Sequence, residues 1–204
     1  MARIEFFFDV SSPWTYLAFE AAQPLAAEFG AQIVWRPLLV GGVFNAINPG
    51  LYEQRAGMAP HRSIYMKKDL ADWTRYVGIP RLLFPPTVFP VNSVKAMRGC
   101  ILLKDDARLI PFARKCFEAY FGADKDISQE AVLRDICAAA EVDADWLLDG
   151  INDQAVKDGL RANVEELIAR GGFGSPTLFL DGNDMYFGND RLPLLRAALK
   201  RAAA

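Results

Sequence analysis

Ile4-Glu5-Phe6-Phe7-Phe8-Asp9-Val10-Ser11-Ser12-Pro13-Trp14-Thr15-Tyr16-Leu17-Ala18 is the stretch whose reading decides the fold. Residues 4–10 form a short, apolar, β-prone run that suits a central strand buried on both faces. Ser11-Ser12-Pro13 ends it, and a proline at a first helical position behind a serine is the usual start of a helix. From Trp14 onward apolar residues recur at helical spacing up to a stop at Gly30, with Pro24 as a point where that helix can kink. Gln32-Ile33-Val34-Trp35-Arg36-Pro37-Leu38 then reads as a second strand, so the first forty residues make a βαβ unit.

The texture changes after that unit. Gly41-Gly42 through Asn48-Pro49-Gly50 reads as a loop, and four amphipathic helical patterns follow, over 60–78, 93–105, 108–121 and 128–140. Between the first two lies Gly78-Ile79-Pro80-Arg81-Leu82-Leu83-Phe84-Pro85-Pro86-Thr87-Val88-Phe89-Pro90, whose prolines force an extended, turn-punctuated path suited to walling a pocket. The last third returns to α/β: a helix over 153–170, a glycine-rich approach to Ser175-Pro176, a strand Thr177-Leu178-Phe179-Leu180, a turn at 181–184, a strand Met185-Tyr186-Phe187 and a final helix over 190–201. No internal repeat is visible. This order, βαβ, then helices, then αββα, is that of an α/β thioredoxin-like fold with a large all-helical insertion, with residues 1–40 and 153–204 as the thioredoxin-like domain and 41–152 as the insertion.

Composition bounds the function. A chain of 204 residues with 23 basic and 25 acidic side chains carries a net charge of -2, which gives no electrostatic case for nucleic acid or an anionic membrane. No window approaches the roughly 18 consecutive apolar residues of a membrane-spanning helix, and Met1-Ala2-Arg3 leads straight into a strand without a signal-peptide pattern, so a soluble cytoplasmic protein is expected. Cys100, Cys116 and Cys137 are an odd count without CxxC spacing, and His61 is the one histidine, so neither a disulfide scaffold nor a zinc site is expected. Each cysteine sits in an apolar helical pattern and reads as a small buried hydrophobe.

Three segments converge on the ends of the predicted strands. Ser11 or Ser12 either caps the first helix or, at a helix N-terminus with free N–H groups, stabilises a thiolate, and both roles can hold at once. The approach Gly172-Phe173-Gly174-Ser175-Pro176-Thr177 is either a simple turn with a trans proline or, as in thioredoxin-like folds, a cis-proline loop whose preceding residue, Ser175, pairs its backbone with a peptide ligand. Phe187-Gly188-Asn189-Asp190-Arg191-Leu192 is either a capped helix start or a set of N–H groups and a carboxylate facing a zwitterionic amino-acid end.

Taken together, the Asp-x-x-Ser-Pro-x-[Ser/Thr]-Tyr-Leu-Ala pattern of 9–18, the Gly-x-Pro-Thr pattern of 174–177 and the Phe-Gly-Asn-Asp-Arg-Leu run of 187–192 resemble the 2-hydroxychromene-2-carboxylate isomerase family. The kappa-class glutathione transferases and, more distantly, the disulfide oxidoreductase DsbA are its relatives. The resemblance implies that Ser12, and not Ser11, is the catalytic residue that contacts the sulfur of glutathione. It further implies glutathione contacts from Ser175, Phe187, Gly188, Asn189 and Asp190, and from Asn48 in the loop after the second strand. Ser12 and Thr15 stand where the redox relatives place their two cysteines, which excludes CxxC exchange there. The proline-rich loop lacks the tyrosine expected against an aromatic substrate; Phe89 is the nearest aromatic residue.

The resemblance implies an isomerase acting through reversible addition of the glutathione thiolate to a conjugated aromatic pyruvate-type substrate, in aromatic catabolism. Glutathione and a small aromatic carboxylate are the implied partners, and a homodimer stays open. Trp14, Phe44, Tyr65, Phe84 and Phe89 are candidates to line a flat pocket, and Arg62, Lys67, Lys68 and Arg98 to meet a carboxylate, against core packing and solvated charge as the ordinary alternatives. Two rival functions stand beside it: a kappa-like glutathione transferase, and a non-catalytic thioredoxin-like binding module in which Ser12 is only a cap.

Overall fold

The computed structural model describes residues 1–50, 57 and 59–202. Its centre is a four-stranded sheet in the order β2-β1-β3-β4, with β1 over Arg3–Phe8, β2 over Gln32–Pro37, β3 over Thr177–Leu180 and β4 over Asp184–Phe187. Strands β1 and β2 run parallel, with Phe6 opposite Trp35, and β3 lies antiparallel to both β1 and β4, with Leu178 opposite Phe6 and Tyr186.

The run of phenylalanines explains why β1 is central. Side chains alternate across a strand, and here both faces have a core to enter. Ile4, Phe6 and Phe8 join the larger core with α1 (Pro13–Glu28), while Phe7 joins Leu38, Val43, Leu167 and Phe179 on the opposite face. Strand β2 is only half-buried, as its place at the sheet edge requires. Pro24 lies within α1 on its exposed side, and the helix continues through it to Glu28.

Between β2 and β3 the chain is helical: α2 (Val40–Ile47), α3 (Pro60–Val77), α4 (Val94–Leu102), α5 (Leu109–Phe117) continuing into a π-turn at Glu118–Gly122, α6 (Glu130–Ala139), α7 (Ala144–Gly150) and α8 (Gln154–Ala169). A 3-10 turn at Asn189–Arg191 leads into α9 (Leu192–Ala202). The fold is therefore thioredoxin-like with a helical insertion. Residues 51–56 and 58, within the span read as the insertion, lie outside the described residues.

Two elements differ from the reading of the sequence. The segment expected as a loop from Gly41 is α2: Val40, Val43 and Phe44 share one buried face, and Gly42 faces Val164 of α8, where an added Cβ would sit in ordinary contact at 3.6 Å. The short helix α7 was not anticipated at all; Asp143 caps it by accepting from the N–H groups of Asp145 and Trp146. The three cysteines are fully buried, as read from their patterns. Among the described residues no helix is long and apolar enough to cross a membrane.

Gly172 closes α8 onto the loop that precedes β3. A Cβ at this position would stand 2.2 Å from Leu167 Cδ1 and 3.0 Å from the Leu167 backbone oxygen. Gly172→Ala is accordingly expected to lower the unfolding free energy by about 2 kcal/mol through overpacking, read as a shifted denaturation midpoint at unchanged m-value.

Candidate active site

Ser12 is the N-cap of α1, held in an extended backbone conformation with Pro13 at the first helical position. Its hydroxyl accepts from the Thr15 N–H at 3.3 Å and donates to the Ser175 carbonyl at 3.3 Å. The hydroxyls of Thr15 and Ser175 are 2.8 Å apart, and the Asp9 N–H donates to Ser175 Oγ at 3.1 Å. All of these groups are buried. The Ser175–Pro176 peptide is cis, as are Phe84–Pro85 and Phe89–Pro90 in the proline-rich loop. Ser12 and Ser175, 163 residues apart, thus meet at the helix N-terminus.

The end of β4 joins the same place. Gly188 N–H donates to the Pro176 carbonyl at 3.0 Å, which fixes the turn against the cis-proline loop. Gly188 has φ +100°, and an added Cβ would lie 2.6 Å from Asp190 Oδ1, so no other residue fits without strain. Asn189 is buried, yet its Nδ2 has no hydrogen-bond partner among the described residues. Buried amides are almost always satisfied, so an orphan donor beside a strand end marks a place for an acceptor from elsewhere. Asp190 is exposed and paired with Arg191. Phe187 packs on Phe173 at 4.3 Å between ring centroids.

Asn48 is placed differently. It is the C-cap of α2, half-buried, with its N–H donating to the Phe44 carbonyl at 2.8 Å. No hydrogen bond joins it to Ser12, Ser175 or the 187–190 run among the described residues. The aromatic candidates also divide: Phe44 enters the core beneath the sheet, Tyr65 is exposed on α3, and Phe84 and Phe89 meet edge-on at 5.1 Å with Phe89 exposed. Of the cations, Lys68 is paired with Asp72, whereas Arg98 is part-buried with its Nε unpartnered among the described residues.

Asp9 was quoted in the sequence pattern but given no role. It is 1% exposed. Its Oδ1 accepts the Ser11 N–H at 2.9 Å and its Oδ2 accepts the Val40 N–H at 2.9 Å. Burial raises the carboxyl above its ordinary value, opposed by the hydrogen bonds from the Ser11 and Val40 backbones and the Ser11 and Ser93 hydroxyls. A carboxylate directly after the three phenylalanines that end β1, ahead of the helix-capping serines, was the available signal. The protein's own thiols are poor nucleophiles: burial pushes Cys137 up to about 11 and raises Cys100 and Cys116 well above the ordinary thiol range.

A thioredoxin-type sheet, a cis-proline loop and a serine and a threonine at positions 12 and 15 define a thioredoxin-fold protein with no thiol at the start of its first helix. The chain belongs to the family of DSBA-like thioredoxin domains, whose profile matches residues 3–200. It is 31% identical to glutathione S-transferase kappa 2 of Caenorhabditis elegans over 93% of this chain and 88% of that protein. It is 28% identical to 2-hydroxychromene-2-carboxylate isomerase of Pseudomonas putida over 97% of this chain and 94% of that one. A solved structure of 2-hydroxychromene-2-carboxylate isomerase superposes with a TM-score of 0.82 at 25% identity, covering 98% of this chain and 95% of its own.

Ser12→Ala removes the acceptor for the Thr15 N–H and is expected to cost about 1 kcal/mol of stability. Chemical denaturation at neutral pH measures it.

Proposed function

We propose that this protein is a glutathione-dependent isomerase of 2-hydroxychromene-2-carboxylate type, interconverting such compounds with trans-o-hydroxybenzylidenepyruvate-type acids in aromatic catabolism, in the reducing cytoplasm. The observation that carries the reading is the Ser12 hydroxyl at the N-terminus of α1, beside the cis-proline loop and with no thiol at position 12 or 15. A protein that lacks its own sulfur there and buries its other three thiols needs one from a ligand.

The residues fit glutathione. The orphan Nδ2 of Asn189 suits a carboxylate of the γ-glutamyl end, and Asp190 its ammonium group. Ser175, ahead of cis-Pro176, suits strand-like pairing with the peptide backbone. Phe187, Gly188 and, from α2, Asn48 complete the proposed contacts. Held by these residues, glutathione would supply a thiolate nucleophile able to add reversibly to an electron-poor double bond, the chemistry that a cis–trans isomerisation needs.

Ser12 acts by donating a hydrogen bond to the sulfur, and the helix N-terminus adds about 0.3–1 kcal/mol toward the anion. No base is required of it. An ordinary thiol is only a few per cent ionised at neutral pH, so this stabilisation is what the reaction asks of the site. We assign the acceptor's carboxylate to Arg98, which of the four candidate cations is the one on α4, where the neighbouring Met97 accepts the Val10 N–H at 3.4 Å and lies against the turn that carries Ser12.

The kappa-class relative at 31% identity favours a second reading, a transferase with the same thiol site. Incubation with 2-hydroxychromene-2-carboxylate and glutathione separates the two. An isomerase reaches the equilibrium mixture with total glutathione unchanged, whereas a transferase consumes it mole for mole. Ser12→Ala is expected to lower the ultraviolet thiolate absorbance of bound glutathione and to cut turnover about tenfold, the worth of one hydrogen bond to a charged group. Retention of both would leave Ser12 as a helix cap in a binding module. Arg98→Met is expected to raise the acceptor KM about tenfold, the loss of one charge-assisted hydrogen bond, with glutathione affinity unchanged.

A further inference from the structure

We propose that Asp9 is a positioning residue of this site, its single carboxylate tying the turn that carries Ser12 to the helix that carries Asn48, so that both ends of the site are set together. The inference rests on the reading of Ser12 as the thiol-holding group.

The geometry is that of a hub. Asp9 accepts from Ser11 N–H on one oxygen and from Val40 N–H on the other, each at 2.9 Å, and the Ser93 hydroxyl at the start of α4 also bonds to it. Its carbonyl accepts the Ser12 N–H at 3.2 Å, and its own N–H reaches Ser175 Oγ at 3.1 Å. One residue therefore holds the β1–α1 turn, the cis-proline loop, α2 and α4.

Helix α2 depends on that hub. It has eight residues, and its N-cap, Leu39, has no side chain able to accept from the first N–H groups. An isolated helix of that length does not hold itself together in water. The Asp9 carboxylate supplies the cap from 31 residues away in the chain. Among the described residues no lysine or arginine contributes to the state of this carboxyl; the titratable groups that sense it are Cys100 on α4 and Tyr120 in the π-turn, both neutral when protonated. Its hydrogen bonds among the described residues come from main-chain N–H groups and hydroxyls.

Both oxygens face N–H donors, so an amide cannot replace the carboxylate. Asp9→Asn turns its NH2 against one donor, and with the amide oxygen kept on Ser11 that donor is Val40. Val40→Pro removes the N–H at the first position of α2 and sets the ring Cδ in its direction, against Asp9 Oδ2, so it breaks the same tie from the α2 side, while Leu39 before it is already extended at φ -108°, ψ 109°.

The test compares wild type, Asp9→Asn, Val40→Pro and the double variant by amide hydrogen exchange over residues 12–16 and 41–47 and by glutathione affinity. Asp9→Asn is expected to speed exchange in both segments and to weaken glutathione about tenfold, the worth of one hydrogen bond to a charged group. Val40→Pro, which touches neither Ser12 nor the ligand, is expected to weaken glutathione about tenfold by driving the carboxylate away from α2. The double variant is expected to lose no more than either single variant, because both break the same tie.

Should Asp9→Asn fail to fold, Val40→Pro alone decides. Wild-type affinity together with wild-type exchange over 12–16 in that variant overturns the proposal, as does a double variant whose loss of affinity is the product of the two single losses. A wild-type protein that does not bind glutathione sinks the functional reading, while coupled exchange of the two segments still decides whether Asp9 ties them.

Discussion

A buried carboxylate held by main-chain N–H groups governs how this molecule is assembled around its site. Taking an ionised group out of water is costly unless hydrogen bonds replace the lost solvent. Asp9 meets that demand by collecting donors from segments that would otherwise end with open N–H groups: the turn into α1 and the first residue of α2. The constraint is mutual. Each segment needs an acceptor, the acceptor needs both, and neither is satisfied unless the sheet, the first helix and the start of the helical insertion are all in place.

From that junction the rest of the site is a consequence of sheet topology. Strands β1 and β3 are neighbours in antiparallel register, with Phe7 opposite Thr177, so the residue that follows β1 and the residue that precedes β3 fall at the same edge. Ser12 and Ser175 meet there. Strand β4 pairs with β3 through Thr177 and Phe187, and its exit brings Gly188 and Asn189 to the same edge. A helix N-terminus, a cis-proline loop and a strand exit are thus drawn together by ladder hydrogen bonds far from any polar chemistry.

What the chain discloses about itself divides along the same line. Strand β1 was legible because contiguous phenylalanines are rare outside a strand with a core on either side. The start of α1 was legible because Ser12-Pro13 states both the cap and the first turn locally. Helix α2 was not, because Gly41-Gly42 speak for a loop and the group that caps the helix lies in another segment. Helix α7 escaped because seven residues from Ala144 carry little periodicity, although Asp143 was in the right place to cap it. The pairing of Ser12 with Ser175 was legible only through resemblance, since nothing in a single chain says which distant residues touch. Asp9 is the sharpest case: its type and position were plain, but its importance lies wholly in partners that folding supplies.

The hydrogen bond from Ser12 to the Ser175 carbonyl makes ligand capture a substitution. The serine proton is already engaged before any sulfur arrives, and the carbonyl is already served. A thiol entering the site exchanges one bond for another, and exchanged hydrogen bonds contribute only about 1 kcal/mol net. The sulfur is therefore a weak handle by itself. On the proposed glutathione reading, selection among thiols falls to the far end, where the buried Nδ2 of Asn189 has no bond to give up among the described residues, so recognition of the ligand and activation of its reactive atom are carried by different groups.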